Sequence, residues 1–302
     1  MVKANASKRR IGKTRFDAIF DIVIYVILGL LVASFLYILI YIVSCSLSEA
    51  NAVYSGEVVL WPVRATFDGY RRVFQETMIW VGYLNSIVYM AVGTLISVVS
   101  TMLAAYALSR KDLPGRGIIT GIFMFTMFFS GGIIPTYLVV MNMGLLDSMW
   151  ALILPSAISM SNVIIARTFF ASLPNDLLEA SQIDGCSNTR YFISVVIPLS
   201  KAVIAVLALY YAVSYWNDYF NAMLYIKTRA KMPLQLFLRE ILIASQKSSA
   251  MTDDLLGYAA LMETNEIIKY ALIVVASLPM LIIYPFVQKH FVKGVMIGSI
   301  KG

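Results

Sequence analysis

Six stretches of this 302-residue chain stay apolar long enough to cross a hydrocarbon core of about 30 Å at about 1.5 Å per helical residue. They run over about Ile22–Val43, Leu84–Leu108, Ile118–Val140, Met149–Phe170, Val195–Tyr215 and Ile267–Val287. The pattern predicts an all-α membrane protein with six transmembrane helices. Polar positions then divide the chain into a basic tail over 1–21, a first transmembrane helix with its external loop over 22–83, a transmembrane core over 84–289 and a C-terminal tail over 290–302.

Lys and Arg set the expected orientation, since loops on the cytoplasmic side collect them. Lys3, Lys8, Arg9, Arg10, Lys13 and Arg15 precede the first span, and Arg110, Lys111 and Arg116 lie between the second and third. Arg167 and Arg190 fall between the fourth and fifth, and Lys289, Lys293 and Lys301 follow the sixth. The loop Asn142–Ser148 has neither residue. Both termini are therefore expected in the cytoplasm, in a multi-pass membrane protein. The loop from about Trp216 to Glu266 carries Lys227, Arg229, Lys231, Arg239 and Lys247, but long loops weigh less in this rule.

Composition agrees with a lipid-facing surface: 60% of residues are apolar and 14% charged, against about 45–50% and 25% in soluble domains. The net charge of +7 is explained by the cytoplasmic loops, so no nucleic-acid partner is expected. Cys45 and Cys186 make no disulfide framework, and a single histidine, His290, builds no metal site. No catalytic constellation, Walker A sequence or metal-binding motif is present. No catalytic or metal-binding residue and no cofactor of its own is expected. An ion-coupled carrier is the alternative reading, but such carriers need ionisable groups at membrane depth, and these spans hold almost none. The run Ser130-Gly131-Gly132 before Pro135 interrupts the third span, either as a kink and close helix contact or as part of a ligand path.

The loop between spans four and five carries the most information. Pro174 stops the preceding helix, Asn175 or Asp176 is placed to cap a new one, and Gly185 is suited to end it. Ser187 is placed to cap a second short helix running toward Val196-Ile197-Pro198. Two short helices with a sharp turn, at about 175–192, suit either docking into a groove on a cytoplasmic partner or rest on lipid headgroups.

Glu179-Ala180-Ser181, then Asp184-Gly185, then Ile197-Pro198-Leu199 resembles the EAA motif of ATP-binding-cassette importer permeases. Ser181 and Ile197 depart mildly from its usual residues, while the spacing of Glu179, Gly185 and Pro198 is kept. Ala105-Tyr106-Ala107-Leu108-Ser109-Arg110 with Leu113-Pro114-Gly115-Arg116, and the ending Gln288–Gly302, resemble the second permease subunit of carbohydrate importers, the maltose permease G type. Ser130–Tyr137, Gly144-Leu-Leu-Asp147, Trp150–Pro155, Tyr215–Tyr219 and Met232–Glu240 resemble a subgroup handling complex oligosaccharides.

The resemblance implies a type I importer permease fold and a transport subunit rather than an enzyme. It implies a second homologous permease, a pair of ATPase subunits holding ATP and Mg, an extracytoplasmic solute-binding protein and an oligosaccharide substrate. Glu179, Ala180, Ser181, Asp184, Gly185 and Pro198 would couple this chain to the ATPase. The tail with Lys293, Gly294, Gly298 and Lys301 either reaches between the ATPases or is a frayed terminus. Tyr211, Trp216, Asn217, Asp218, Tyr219 and Asn221 offer aromatic faces and hydrogen-bonding groups to a sugar, yet the same residues are explained by packing. Arg229, Lys231 and Arg239 either meet an acidic sugar or acidic binding protein, or form a solvated face.

Overall fold

The computed structural model describes residues 15–248 and 268–285. Its elements are α1 (Arg15–Ser46), α2 (Ala50–Tyr54), α3 (Asp68–Gln75), α4 (Thr77–Ser109), α5 (Arg116–Phe128), α6 (Ile133–Asn142), α7 (Trp150–Ile153) and α8 (Met160–Ala171). There follow α9 (Asn175–Ile183), α10 (Asn188–Tyr191), α11 (Ile197–Leu199), α12 (Lys201–Trp216), α13 (Tyr219–Tyr225), α14 (Leu234–Ser248) and α15 (Ile268–Pro285).

The centre of the bundle is α4, with α12 and α8 packed along it. Its buried positions recur every three or four residues and are mostly small: Gly82, Ser86, Gly93, Ser97, Thr101 and Ala105. Small residues let helices approach closely where water supplies no driving force between them. At Gly93 the approach is absolute, because a Cβ there would lie 2.7 Å from the Tyr215 ring. Two hydroxyl pairs close the seam, Ser97 Oγ with Tyr215 Oη at 2.8 Å and Thr101 Oγ1 with Tyr211 Oη at 2.7 Å.

Among the described residues, α1, α4 and α15 are long and apolar enough to cross a membrane. The expected third, fourth and fifth spans are not straight helices. The third breaks into α5 and α6, bent by 113° where Gly132 takes φ +87°, so the Ser130-Gly131-Gly132 run is a true helix break. The expected continuous fourth span is corrected. The chain leaves the helix after α7, passes Pro155, and resumes as α8, whose 12 residues extend only about 18 Å. Proline lacks the amide hydrogen a helix interior needs, and hydropathy does not register that loss. The fifth bends by 81° between Asn188–Leu199 and Lys201–Trp216. Pro198 cannot bond backward, and the preceding turn widens into a π-helical stretch over Phe192–Val196.

The first helix stands apart. Its apolar residues are exposed almost throughout, and burial begins at Ser44–Cys45–Ser46. There Tyr41 meets Tyr270 of α15 edge-on at 6.2 Å.

Candidate functional site

The segment expected to couple to a partner forms as two short helices. Pro174, rather than Asn175 or Asp176, occupies the N-cap of α9, with no side-chain cap bond. The helix closes through Gly185 N–H to Gln182 O at 3.1 Å and Cys186 N–H to Ser181 O at 2.9 Å. Gly185 takes φ +68°, a left-handed conformation that glycine adopts without steric cost. Ser187 Oγ then accepts from Arg190 N–H at 3.3 Å and caps α10.

Leu173, Leu178 and Cys186 lean on the core built from α4, α8, α10 and α12. Glu179, Ala180, Asp184 and Gly185 share the exposed side, and Ile183 is 86% exposed beside them. Ser181 is half-buried, its hydroxyl turned back to Leu178 O at 2.7 Å. Pro198 sits apart, at the bend before α12. A cleft of about 380 Å³ separates α9 from the α4–α5 connection, with Glu179, Gln182, Arg110 and Arg116 on its walls. Arg110 holds Asp112 with two bonds of 2.9 and 2.8 Å, which keep the Asp112 carboxyl below its ordinary pKa.

The substrate-path residues are not gathered on one open surface. Tyr211 is 3% and Trp216 1% exposed. Tyr211 Oη accepts from Ser159 N–H at 3.1 Å, and Trp216 Nε1 donates to Ala276 O at 3.1 Å. Both hold helices together. Asn217 is exposed and donates to Val213 O at 2.8 Å. Asp218 caps α13, accepting from the Asn221 backbone at 3.2 Å and its side-chain amide at 3.0 Å. Tyr219 is exposed, with the Arg239 guanidinium 5.5 Å from its ring centre. Lys293, Gly294, Gly298 and Lys301 lie outside the described residues.

A residue absent from the predicted site organises the opposite end of α4. Asp147 Oδ1 accepts from the backbone N–H groups of Lys227 at 2.9 Å and Thr228 at 2.8 Å. Its Oδ2 accepts from Thr228 Oγ1 at 2.6 Å and Lys231 Nζ at 3.0 Å. The Thr228 hydroxyl, the Thr228 amide, Lys231 and the Lys227 amide hold this carboxyl well below its ordinary pKa. Asp147 also takes φ +58°, which is uncommon without glycine. From the other side, Asn85 donates to Ala230 O at 2.8 Å and Met232 O at 3.1 Å, and Tyr89 donates to Lys231 O at 2.8 Å. The sequence signal was slight: one carboxylate in a loop otherwise free of charge.

Residues 79–297 match the family described as binding-protein-dependent transport system inner membrane component. The chain is 43% identical over 288 residues to the polygalacturonan/rhamnogalacturonan transport system permease protein of Bacillus subtilis, covering 95% of this chain and 99% of that one. It is 42% identical over 289 residues to protein LplC of the same organism, covering 96% and 97%. A solved bacterial ABC transporter involved in import of the acidic polysaccharide alginate contains a chain that is 35% identical. That chain superposes with a TM-score of 0.83, covering 93% of this chain and 99% of its own length.

Proposed function

Because this chain belongs to the family of binding-protein-dependent transport system inner membrane components, we propose that it forms part of a translocation path for an oligosaccharide carrying uronic acids. It is a permease subunit of an ATP-binding-cassette importer of the sugar-transporting kind, a transport subunit and not an enzyme. A family of this type implies a partner permease, an ATPase and a binding protein.

In our reading both termini lie in the cytoplasm, as the Lys and Arg of the N-terminal tail and the α4–α5 connection favour. The α9–α10 element then meets the ATPase pair, where ATP and Mg are held. The observation that carries this reading is the exposed surface formed by Glu179, Ala180, Asp184 and Gly185 on an element folded by its own local bonds. Glu179 accepts a charge-assisted bond from a basic group of the ATPase. Gly185 holds the turn, and the bend at Pro198 passes the motion to α12. The tail with Lys293, Gly294, Gly298 and Lys301 reaches between the two ATPase subunits. A second homologous permease completes the path, and an extracytoplasmic binding protein delivers the sugar at the Asp147 end.

The acidic character of the substrate is supported by the relatives named for polygalacturonan, rhamnogalacturonan and alginate, and by the cationic Lys227 and Arg229. The test is ATPase activity of the complete complex in proteoliposomes across neutral and uronate oligosaccharides. Stimulation by a uronate-loaded binding protein, lost in Glu179→Ala, is expected. Stimulation unchanged in Glu179→Ala would overturn the coupling role, and a response confined to neutral sugars would overturn the substrate class.

A further inference from the structure

A second cleft, of about 630 Å³, opens at the start of α4, at the end of the bundle opposite Glu179. Arg72 of α3 and Arg229 stand on its walls, with Gln75, Glu76 and Glu240. Phe237 and Ile79, both buried, belong to its lining. The volume lies within the range of about 300–1,000 Å³ usual for small-molecule sites. Among the described residues neither guanidinium takes part in an ion pair.

Arg229 is held by its neighbours on both sides. Thr228 is bound to Asp147 through backbone and hydroxyl, and Ala230 O is bound by Asn85. The Arg229 carbonyl accepts from Met232 N–H at 3.2 Å within the short turn Arg229–Lys231. Arg72 rides on α3, anchored by Val73 at 1% exposure and by the Tyr70 hydroxyl, which pairs with Ser46 at 2.8 Å. Phe237 is fixed against α4, since a Cβ at Gly82 would lie 2.7 Å from its ring. The backbone that carries both arginines is thus held before a ligand arrives, and only their side chains are left to order.

We infer that this cleft is a receiving site for the carboxylate of an acidic sugar, in which Arg72 and Arg229 bind the uronate and Asp147 acts as a positioning residue for Arg229. Guanidinium groups match carboxylates with two parallel bonds. Gln75 presents donors and acceptors, and Glu76 and Glu240 present acceptors, for ring hydroxyls. The inference rests on the reading of this chain as part of a uronate importer. It adds where the acidic group is first held.

The test uses the complete permease–ATPase complex in nanodiscs, without binding protein, titrated calorimetrically with trigalacturonate and with maltotriose. Wild type is expected to bind trigalacturonate in a salt-sensitive manner and maltotriose weakly. R72Q/R229Q is expected to lose at least about tenfold in trigalacturonate affinity, and R72K/R229K to recover part of it. Asp147→Asn is expected to weaken trigalacturonate alone. Equal affinity in wild type and R72Q/R229Q overturns the site. So does a variant that keeps its sugar affinity but docks its binding protein more weakly, which would make the arginines a protein-contact surface. Import of trigalacturonate by the wild-type complex with its binding protein in proteoliposomes, alongside either result, leaves the importer reading standing. Absence of any uronate import by wild type would remove both.

Discussion

The two ends of α4 are built on opposite plans. At the Glu179 end, the hydrogen bonds of residues 175–190 join near neighbours, and the element leans on the core through Leu178 and Cys186. At the Asp147 end, the bonds to Lys227, Thr228 and Lys231 span 80 to 84 positions, and those from Asn85 and Tyr89 span 142 to 147. An element folded by itself can shift as a body without breaking its own bonds. A loop held from two directions cannot shift without losing them. Local opening is accordingly expected to be easier at the first end than at the second.

The largest expected effect comes from Gly185→Val. A β-branched residue at φ +68° incurs at least about 1–2 kcal/mol of backbone strain and deforms the turn that aims Glu179. Sugar uptake by reconstituted complexes is expected to fall more than about tenfold, with the α4–α12 seam intact. Normal uptake would break the contrast, by showing that the shape of the local element does not matter.

Gly93→Leu probes the scaffold that both ends share. With a Cβ already 2.7 Å from the Tyr215 ring, the larger side chain is expected to cost about 1–3 kcal/mol. A lowered thermal midpoint in detergent checks it, and hydrogen exchange should quicken at both ends together.

Asp147→Asn separates them. It removes a charge while preserving shape, and amide exchange at Lys227, Thr228 and Lys231 should accelerate while residues 175–190 stay as they were. The pH dependence has a definite sign. Because the Thr228 hydroxyl and amide, then Lys231 and the Lys227 amide, depress the Asp147 pKa, its contribution is fully present above the ordinary carboxylate value of about 3.9. It is lost as pH falls below that value toward the depressed one. Exchange protection corrected for intrinsic rate should therefore be level from pH 7 to about pH 5 and fall in stronger acid. A decline already at pH 6 would assign the clasp to another group.

The smallest effect belongs to Ser187→Ala, which removes the cap of α10 at a cost of about 1 kcal/mol. Faster exchange confined to α10 is expected. Spread of the effect to the Asp147 loop would show that the local element is less independent than its bonds suggest.

The same contrast governs what the amino-acid sequence discloses. Hydropathy alone located α1, α4 and α15, and Gly185 with Ser187 marked the turn and second cap of the α9–α10 element, because their causes lie within a few residues. Pro174 took the cap position expected of Asn175 or Asp176, a shift of one or two residues in the same turn. The fourth span was misread because hydropathy averages across Pro155. Trp216 and Tyr211 look like sugar-binding residues in one dimension; in three they are buried against α15, α4 and the start of α8. Asp147 was passed over as a binding residue because its partners are remote in sequence and mostly backbone amides, which leave no pattern to read.

The 33 residues of α4 form one unbroken rod of about 50 Å. Asn85, Ser86 and Tyr89 grip the loop at one end, and Leu108 O takes a 3.1 Å bond from Arg167 Nε at the other. Such a rod is a lever. A tilt of about 5° about either grip carries the other, about 30 Å away, through about 3 Å, comparable to the length of a hydrogen bond in either set. A small rotation at the Glu179 end is thus enough, by length alone, to make or break contacts at the Asp147 end.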